Sequence, residues 1–208
     1  MKRAILMALG AIAVIVLAVT LLRRGPESAV QSDPEFVQAG QFLSDSLGVG
    51  FLLPESSGWS FRREPTVPSG PYVSALHEPG KATVRLYVWP RESVPRIADV
   101  VRRRRDQLAG FFNVKDLDDV IETVMKEEVQ ELKGYPVRQW QAVSEVVAMA
   151  GDPPSRVMFM SVTVERHEDI LELLGLLAYP VDQAPEARAV TDALLNDLTF
   201  VMQSFQFR

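Results

Sequence analysis

The fold is decided by the stretch VIETVMKEEVQELKGYPVRQWQAVSEVVAMAGDPPSRVMFMSVTVERHEDILELLGLLAYP, which covers residues 120–180. Apolar or alternating runs occupy most of it, at residues 120–133, 137–148, 156–165 and 170–179. Turn residues separate the runs, and in the third run every second residue is large and apolar: Met158, Met160, Val162 and Val164. Alternation with a period of two is typical of β-strands, so we expect consecutive antiparallel strands. The last run is so rich in leucine that it predicts a strand covered on both faces.

Shorter strands and two helices are predicted on either side of this stretch. The strand patterns lie at residues 41–43, 49–53, 58–61, 72–76 and 82–89. Ser93 is expected to cap a helix that has Pro95 in its first turn and ends at Gly110. A final helix begins near Pro185 and carries one apolar stripe, formed by Ala187, Val190, Leu194, Leu198, Val201, Met202 and Phe205. The predicted fold class is therefore α+β, an antiparallel β-sheet sandwiched by helices.

Composition limits the chemistry of this chain. It has 208 residues, 47% of them hydrophobic, a formal net charge of -5 at pH 7, and no cysteine. Thiol catalysis, thiolate metal sites and lipid attachment at a cysteine are therefore excluded. An acidic chain lacks the basic field that nucleic-acid binding needs, so we expect no nucleic acid among its partners. The chain without its N-terminal segment has the length of one ordinary domain, which we predict at residues 41–208.

The N-terminal segment is predicted to be a membrane anchor at residues 1–24. Residues 4–22 carry no charge, and a helix of that length rises about 28 Å, close to the thickness of the hydrocarbon core. The alternative is a cleaved signal peptide, but the apolar run is longer than is usual for one and no clear Ala-x-Ala cleavage site follows it. A single N-terminal transmembrane helix is the prediction that follows.

The charges that flank this segment predict its orientation. Lys2, Arg3 and the amino terminus stand before the apolar run, and Arg23 and Arg24 follow it, which slightly favours a cytoplasmic amino end. We therefore expect the domain to lie in the periplasm or outside the cell. The polar, small residues at 25–40 predict a linker between the anchor and the domain, with a short helix as the alternative.

Several short motifs, placed in this order of strands and helices, resemble PsbP-like domains. They are Gly58-Trp59 after a Pro-ended strand, Leu132-Lys133-Gly134-Tyr135-Pro136, Leu177-Ala178-Tyr179-Pro180, and the closing Ser204-Phe205-Gln206-Phe207. The resemblance covers about residues 41–208. It implies an antiparallel sheet sandwiched by helices, as in extrinsic subunits of photosystem II, bacterial envelope proteins and a nuclear Ran-binding protein, most of which bind proteins. The motifs mark turns and packing, and they carry no catalytic, metal-binding or partner-binding residue to this chain.

Neither histidine lies in a recognisable metal motif. A zincin helix needs a second histidine four residues after the first, and those positions hold Lys81 after His77 and Leu171 after His167. We interpret both as polar turn residues, with a site assembled from both by folding as the alternative. No catalytic residue, cofactor or metal ligand is predicted from them.

The acidic run at residues 116–119 begins like a calcium loop. The sixth position of such a loop needs glycine for its sharp turn, and Ile121 stands there. We therefore interpret the run as a charged turn before the next strand.

Four consecutive arginines, at residues 102–105, are the most unusual local feature. Arg104 falls on the same helical line as Ile97, Val101 and Leu108, so it must snorkel or pair with a carboxylate. The candidate partner-binding residues are the other three: Arg102, Arg103 and Arg105. The partner we expect is an acidic protein or an anionic lipid. The alternative is a solvated helix face balanced by nearby aspartates, namely Asp99, Asp106 and Asp116.

Together these patterns predict a membrane-tethered binding or assembly domain outside the cytoplasm, without catalytic activity. The alternative is an envelope domain that binds or hydrolyses a ligand in a pocket between the sheet and a helix, with His77 or His167 in that pocket. The two hypotheses differ in the surface that they require. The first needs an exposed basic or apolar patch, and the second needs a concave site with titratable groups.

Overall fold

The computed structural model describes residues 40–55, 58–63, 70–77, 82–112, 114–146 and 153–207. The predicted anchor at residues 1–24, and all but the last residue of the predicted linker, lie outside the described residues. In the described part of the chain, no helix is long and apolar enough to cross a membrane.

The described residues form ten strands and two α-helices. In chain order they are β1 (Gln41–Ser44), β2 (Val49–Leu52), β3 (Trp59–Arg63), β4 (Val73–His77), β5 (Ala82–Pro90), α1 (Ile97–Phe112), β6 (Ile121–Leu132), β7 (Tyr135–Ser144), β8 (Ser155–Glu165), β9 (Asp169–Pro180), α2 (Pro185–Ser204) and β10 (Gln206–Phe207). A short 3₁₀ helix, Leu117–Asp119, precedes β6. All of the strands and both helices that the sequence predicts in this part of the chain are present.

Seven of the strands form one antiparallel sheet in the order β3-β4-β5-β9-β8-β7-β6. The strands predicted at residues 120–180 are β6 to β9, and each pairs with the next, so this prediction is confirmed. β9 lies between β5 and β8 in the interior of the sheet. Its side chains are buried on both faces, as the leucine-rich run predicts: Leu171 and Leu173 point to one face, and Ile170 and Leu174 to the other.

The two helices cover opposite faces of this sheet, which confirms the predicted α+β sandwich. Ile97, Val100 and Leu108 of α1 pack on side chains such as Trp89, Leu174 and Phe159. The residues of α2 pack on the other face in one large cluster that also contains Leu173 and Met160. We call these the α1 face and the α2 face.

The predicted apolar stripe of α2 is correct only in the C-terminal half of the helix. Leu194, Leu198, Val201 and Met202 are buried, and so is Phe205 just after the helix. Val190, by contrast, is 55% exposed, and Ala187 is exposed as well. The prediction is wrong for these two residues because the first turns of α2 do not yet lie over the sheet.

Gly175 of β9 allows α2 to lie close to the sheet. A Cβ atom at this position would be 2.7 Å from Met202 Cε and 3.3 Å from Leu198 Cδ2. Both distances are shorter than ordinary van der Waals contact, so the side chains of α2 occupy the space that a larger residue would fill.

A second sheet is formed by three short strands in the order β1-β2-β10. The C-terminal strand β10 pairs with β2, with Gln206 opposite Gly50 and Phe207 opposite Val49. Next to this pair, the Ser204 hydroxyl at the end of α2 accepts a hydrogen bond from the Leu52 amide at 2.9 Å. The last residues of the domain are therefore held against some of its first.

Helix α1 begins at Ile97, so the prediction of Ser93 as its cap is wrong. The Ser93 hydroxyl instead donates a hydrogen bond to the Pro90 carbonyl at 2.9 Å, inside the turn that follows β5. The Ile97 amide donates to Glu165 Oε2 at 3.1 Å. A carboxylate from the end of β8 thus satisfies a free amide of the first turn, where the helix dipole favours negative charge.

Candidate binding surface on helix α1

Arg104 forms a buried ion pair that fixes α1 to the sheet. Its Nη2 lies 2.8 Å from Glu172 Oε2 and its Nε lies 3.0 Å from Glu172 Oε1, which is the bidentate geometry of a strong pair. Trp89 Nε1 donates a third hydrogen bond to Glu172 Oε2, at 3.1 Å. The two side chains are only 9% and 2% exposed. Of the two predicted outcomes for Arg104, snorkelling to solvent or pairing with a carboxylate, the structure shows the pair.

Aromatic rings and a second amide complete the surroundings of Arg104. Its guanidinium carbon lies 3.9 Å from the ring centre of Tyr87 and 5.5 Å from that of Trp89. Its Nη1 donates to Gln107 Oε1 at 2.7 Å. Burial lowers the pKa of Arg104, but the charge and hydrogen bonds of Glu172 outweigh it, so the pKa is raised above its ordinary value. Arg104 therefore stays charged at any physiological pH.

The other three arginines point away from the sheet in different directions, because successive helical residues are about 100° apart. The Arg102 side chain is 71% exposed and its Nη2 lies 2.7 Å from Asp99 Oδ1. Arg103 is exposed and donates to the Ser93 carbonyl at 2.9 Å. Arg105 is 29% exposed and bonds to Asp118. The structure therefore leaves Arg102 and Arg103 outward and holds Arg105 against the 3₁₀ helix.

Asp99 is shared by two arginines. Besides Arg102 it faces Arg96, whose Nε lies 3.6 Å from Asp99 Oδ2 and whose side chain is 77% exposed. The single negative charge of Asp99 can balance only one of the positive charges of Arg96 and Arg102. Arg103 contacts no carboxylate among the described residues, since its hydrogen-bond acceptor is the neutral Ser93 carbonyl. We call Arg96, Arg102 and Arg103 the arginine surface, and it carries more positive than negative charge.

Arg105 lies on the side of α1 where both signs of charge are present, and Arg102 borders both this side and the arginine surface. Arg105 Nη2 also lies 3.8 Å from Asp116 Oδ1. An open, shallow depression runs along this side of α1, lined by Ala98, Val101, Arg102, Arg105, Asp106, Asp116 and Asp118. The contacts of Arg105 with aspartates correspond to the alternative interpretation of the arginine run, a helix face balanced by its acidic neighbours.

The two histidines lie too far apart to form one site. His77 at the end of β4 pairs in register with Ala82, the first residue of β5. The turn that carries His167 joins β8 to β9 and lies next to the last residue of β5, because Asp169 pairs with Pro90. β5 has nine residues, which separates its ends by about 26 Å. The His77 ring packs 5.6 Å from that of Trp59, and His167 is exposed. The alternative of a site built from both histidines is therefore wrong.

The acidic run at residues 116–119 caps the 3₁₀ helix. Asp116 Oδ1 accepts a hydrogen bond from the Asp118 amide at 3.1 Å, and Asp119 Oδ2 accepts one from the Asp116 amide at 3.2 Å. These two carboxylates form a capping box, and their oxygens bind backbone amides. The interpretation as a charged turn is confirmed. Among the described residues, no group of three histidine, cysteine or acidic side chains is placed to hold a metal ion.

Sequence reasoning missed Glu172, the partner of Arg104. It stands in β9 between Leu171 and Leu173, where every neighbour is apolar. A single carboxylate inside such a strand needs a buried counter-charge. A single arginine on the apolar line of a helix needs the same, so these two exceptions together could have predicted the pair.

Comparison with known proteins gives matches among solved structures alone. A scan against protein-family models found no match, and a search of curated proteins found no significant match. A point mutant of Mog1 matches with a TM-score of 0.50 and 9% identity, over 82% of this chain and 96% of that chain. The Ran-binding protein Mog1p of Saccharomyces cerevisiae matches with a TM-score of 0.48 and 11% identity, over 83% and 96%.

Two further structures come from bacteria. Cyanobacterial PsbP (CyanoP) from Synechocystis sp. PCC 6803 matches with a TM-score of 0.48 and 12% identity, over 88% of this chain and 100% of that chain. LpqN of Mycobacterium tuberculosis, described as involved in cell envelope biogenesis, matches with a TM-score of 0.42 and 10% identity, over 85% and 86%. The resemblance to PsbP-like domains is confirmed for the fold.

Proposed function

We propose that this protein is a non-catalytic binding or assembly domain, tethered to a membrane by residues 1–24, with its domain in the periplasm or outside the cell. It captures an acidic protein partner with the arginine surface of α1. The observation that carries this proposal is the excess of positive charge at Arg96, Arg102 and Arg103 on an otherwise acidic chain. An anionic lipid headgroup is the alternative partner for the same charges.

The attachment of α1 makes this surface suitable for binding. The buried pair between Arg104 and Glu172 holds the helix in one position on the sheet. A rigid element loses little conformational entropy on association, so its exposed charges contribute more to affinity than those of a mobile loop. The fold resembles that of Mog1. A shared fold assigns neither a partner nor a site, so the proposal depends on the arginine surface itself.

Charge reversal at Arg102 or Arg103 is expected to weaken partner binding while the protein stays folded. Each exposed charge near an acidic surface contributes about 1 kcal/mol, and its effect falls with salt. Exposed single charges change the free energy of unfolding by less than about 0.5 kcal/mol, so the melting temperature should hardly change. The measurement is capture of the partner from solubilised membranes by full-length protein, together with sedimentation of phosphatidylserine vesicles.

Two comparison variants make this experiment specific. Arg188→Glu changes the charge equally on the exposed start of α2 and should leave binding unchanged. Arg105→Gln should have a smaller effect than Arg102→Gln, because Arg105 already pairs with Asp118 and Asp116. If Arg102→Glu and Arg103→Glu bind the partner as well as the parent does, at low and at high salt, α1 is removed from the proposal. Loss on vesicles alone would identify a lipid instead of a protein.

The membrane tether has its own test, which is independent of the arginine surface. Intact mass spectrometry of the membrane fraction should find the mass of the whole chain, because residues 4–22 match the thickness of the bilayer core. Alkaline carbonate should not extract this protein from the membrane. A mature protein that begins after Leu22 would contradict the tether, and a cytoplasmic position in protease-protection experiments would contradict the proposed orientation.

A further inference from the structure

Polar side chains meet on the part of the α1 face that belongs to β3, β4 and β5. The strand registers place Arg62 opposite Ser74 and Ser74 opposite Arg85, so the three form one row across neighbouring strands. Side chains in such a row are about 4.5 to 5.5 Å apart at Cβ. Thr83 stands two residues before Arg85 on β5, and its side chain therefore lies on the same face.

Three atoms in this group are buried and have no hydrogen-bond partner among the residues that the structure describes. They are Ser74 Oγ, Thr83 Oγ1 and Arg85 Nε. Ser74 is completely buried, whereas Thr83 and Arg85 remain partly exposed. Asp99 Oδ2, Arg138 Nε and Arg156 Nε also lack a partner, but each of these three residues pairs with a charged side chain through another of its atoms. Buried donors are nearly always satisfied in folded proteins, so three unsatisfied donors on neighbouring strands indicate a missing acceptor.

Arg85 also lacks a counter-ion within the described part of the chain. Arg138, on the same face of β7, pairs with Glu127, and Arg156 of β8 pairs with Glu122. The Nε atoms of all three arginines are buried without an acceptor, but among the described residues only Arg85 also has no carboxylate at its guanidinium. A partly buried guanidinium whose Nε–H has no acceptor is well suited to a planar or tetrahedral oxyanion.

We propose that Arg85, Ser74 and Thr83 bind an oxyanion, the carboxylate or phosphate group of a small molecule. Arg85 supplies the charge and a charge-assisted hydrogen bond, and the two hydroxyls donate to the remaining oxygens. Arg62 lies at the other end of the row and has interaction partners of its own. Its positive charge still adds to the attraction of an anion. This site is separate from the arginine surface, because it lies on the sheet beyond Tyr87, whose ring Arg104 covers.

The test is an NMR titration of the full-length, ¹⁵N-labelled protein in nonionic detergent. Sodium phosphate and sodium glutarate are titrated in separate experiments, and sodium chloride keeps the ionic strength constant. The reporter is the Nε–H signal of Arg85, assigned by its loss in Arg85→Gln. We expect saturable shifts of this signal with a dissociation constant of about 1 mM or tighter for one of the two anions. The anion that binds identifies the chemical class.

Variants separate this site from general attraction of anions. Arg85→Gln should weaken binding by about tenfold or more, measured by calorimetry, because it removes the charged donor. Arg138→Gln removes an equal charge from the same face and should change binding by less than about twofold, since a distant charge is screened. Absence of saturable binding by both anions would overturn the proposal, and so would equal losses in these two variants.

Ser74→Ala supplies a readout that a purely structural role would not give. If the Ser74 hydroxyl is hydrogen-bonded only when an anion is bound, its removal should raise the melting temperature of the anion-free protein, because a buried unsatisfied group is lost. The same variant should weaken anion binding by about threefold or more, since a neutral hydrogen bond disappears. A variant that is less stable and binds as well as the parent would assign Ser74 to structure alone and contradict the proposed site.

Discussion

Glu172→Gln will lower the free energy of unfolding by about 3 to 5 kcal/mol, because it leaves the charge of Arg104 buried without its counter-charge. The new amide side chain would retain the shape of the carboxylate and an oxygen to accept the hydrogen bond of Trp89. The loss should therefore come from the charge itself. Urea denaturation followed by tryptophan fluorescence measures it, with an unchanged slope against denaturant as the sign of a pure stability change.

Two other variants decide whether burial causes this effect. Glu127→Gln removes a carboxylate from the exposed pair with Arg138, and exposed pairs are worth about 1 kcal/mol or less. Arg104→Met combined with Glu172→Gln removes both charges and should recover most of the lost stability, since neither partner is then left unpaired. A loss below about 1 kcal/mol for Glu172→Gln would mean that water reaches the pair.

The raised pKa of Arg104 also predicts how this stability depends on pH. A group whose pKa is higher in the folded protein contributes stability that is fully present below its ordinary pKa. That contribution is lost only as the pH rises through the still higher folded value. The contribution of Arg104 should therefore be constant from the neutral range into moderately alkaline solution.

A chain that ends at Val181 will not fold cooperatively. It lacks α2 and β10, and with them a set of buried side chains: Leu194, Leu198, Val201, Met202, Phe205 and Phe207. Each is worth about 1.5 to 3 kcal/mol when buried, and their sum is comparable with the whole stability of a typical domain, about 5 to 15 kcal/mol. The α2 face around Gly175 would also be left open to water.

Thermal unfolding followed by circular dichroism checks this prediction. The shortened chain should show no cooperative transition, whereas a chain that begins at Gln41 and keeps its C-terminus should show one. This second chain controls for the loss of residues that the domain does not need. A cooperative melt of the chain ending at Val181 would show that the sheet and α1 form a stable core without α2.

The sequence predicted the strands and helices well because their signals are local. Alternation with a period of two, as from Met158 to Val164, depends only on which face of one strand is buried. The start of α1 could not be predicted in this way. Its first amide binds Glu165, which is 68 residues away in the chain, so the local signal of Ser93 was misleading.

In the candidate sites, too, the features that depend on local spacing could be predicted, and those that depend on distant parts of the chain could not. Helical spacing alone separated Arg104 from the other arginines of its run, and the structure agrees. Asp99, the partner of Arg102, lies within α1 at helical spacing. The partners of Arg104 and Arg105 come from other elements, Glu172 of β9 and Asp118 of the 3₁₀ helix, which spacing within α1 cannot reveal. The group around Ser74 was missed because it exists only through the pairing of three strands.

The pairing of β10 with β2 has a consequence for the order in which the protein is made. Gly50 meets Gln206, so a contact near the beginning of the domain cannot form before β10 has been synthesised. Contacts of such long range slow folding, because the chain between them must be closed into a loop. The domain must therefore complete its fold after β10 has left the ribosome, and its nascent β1–β2 hairpin remains without its third strand until then.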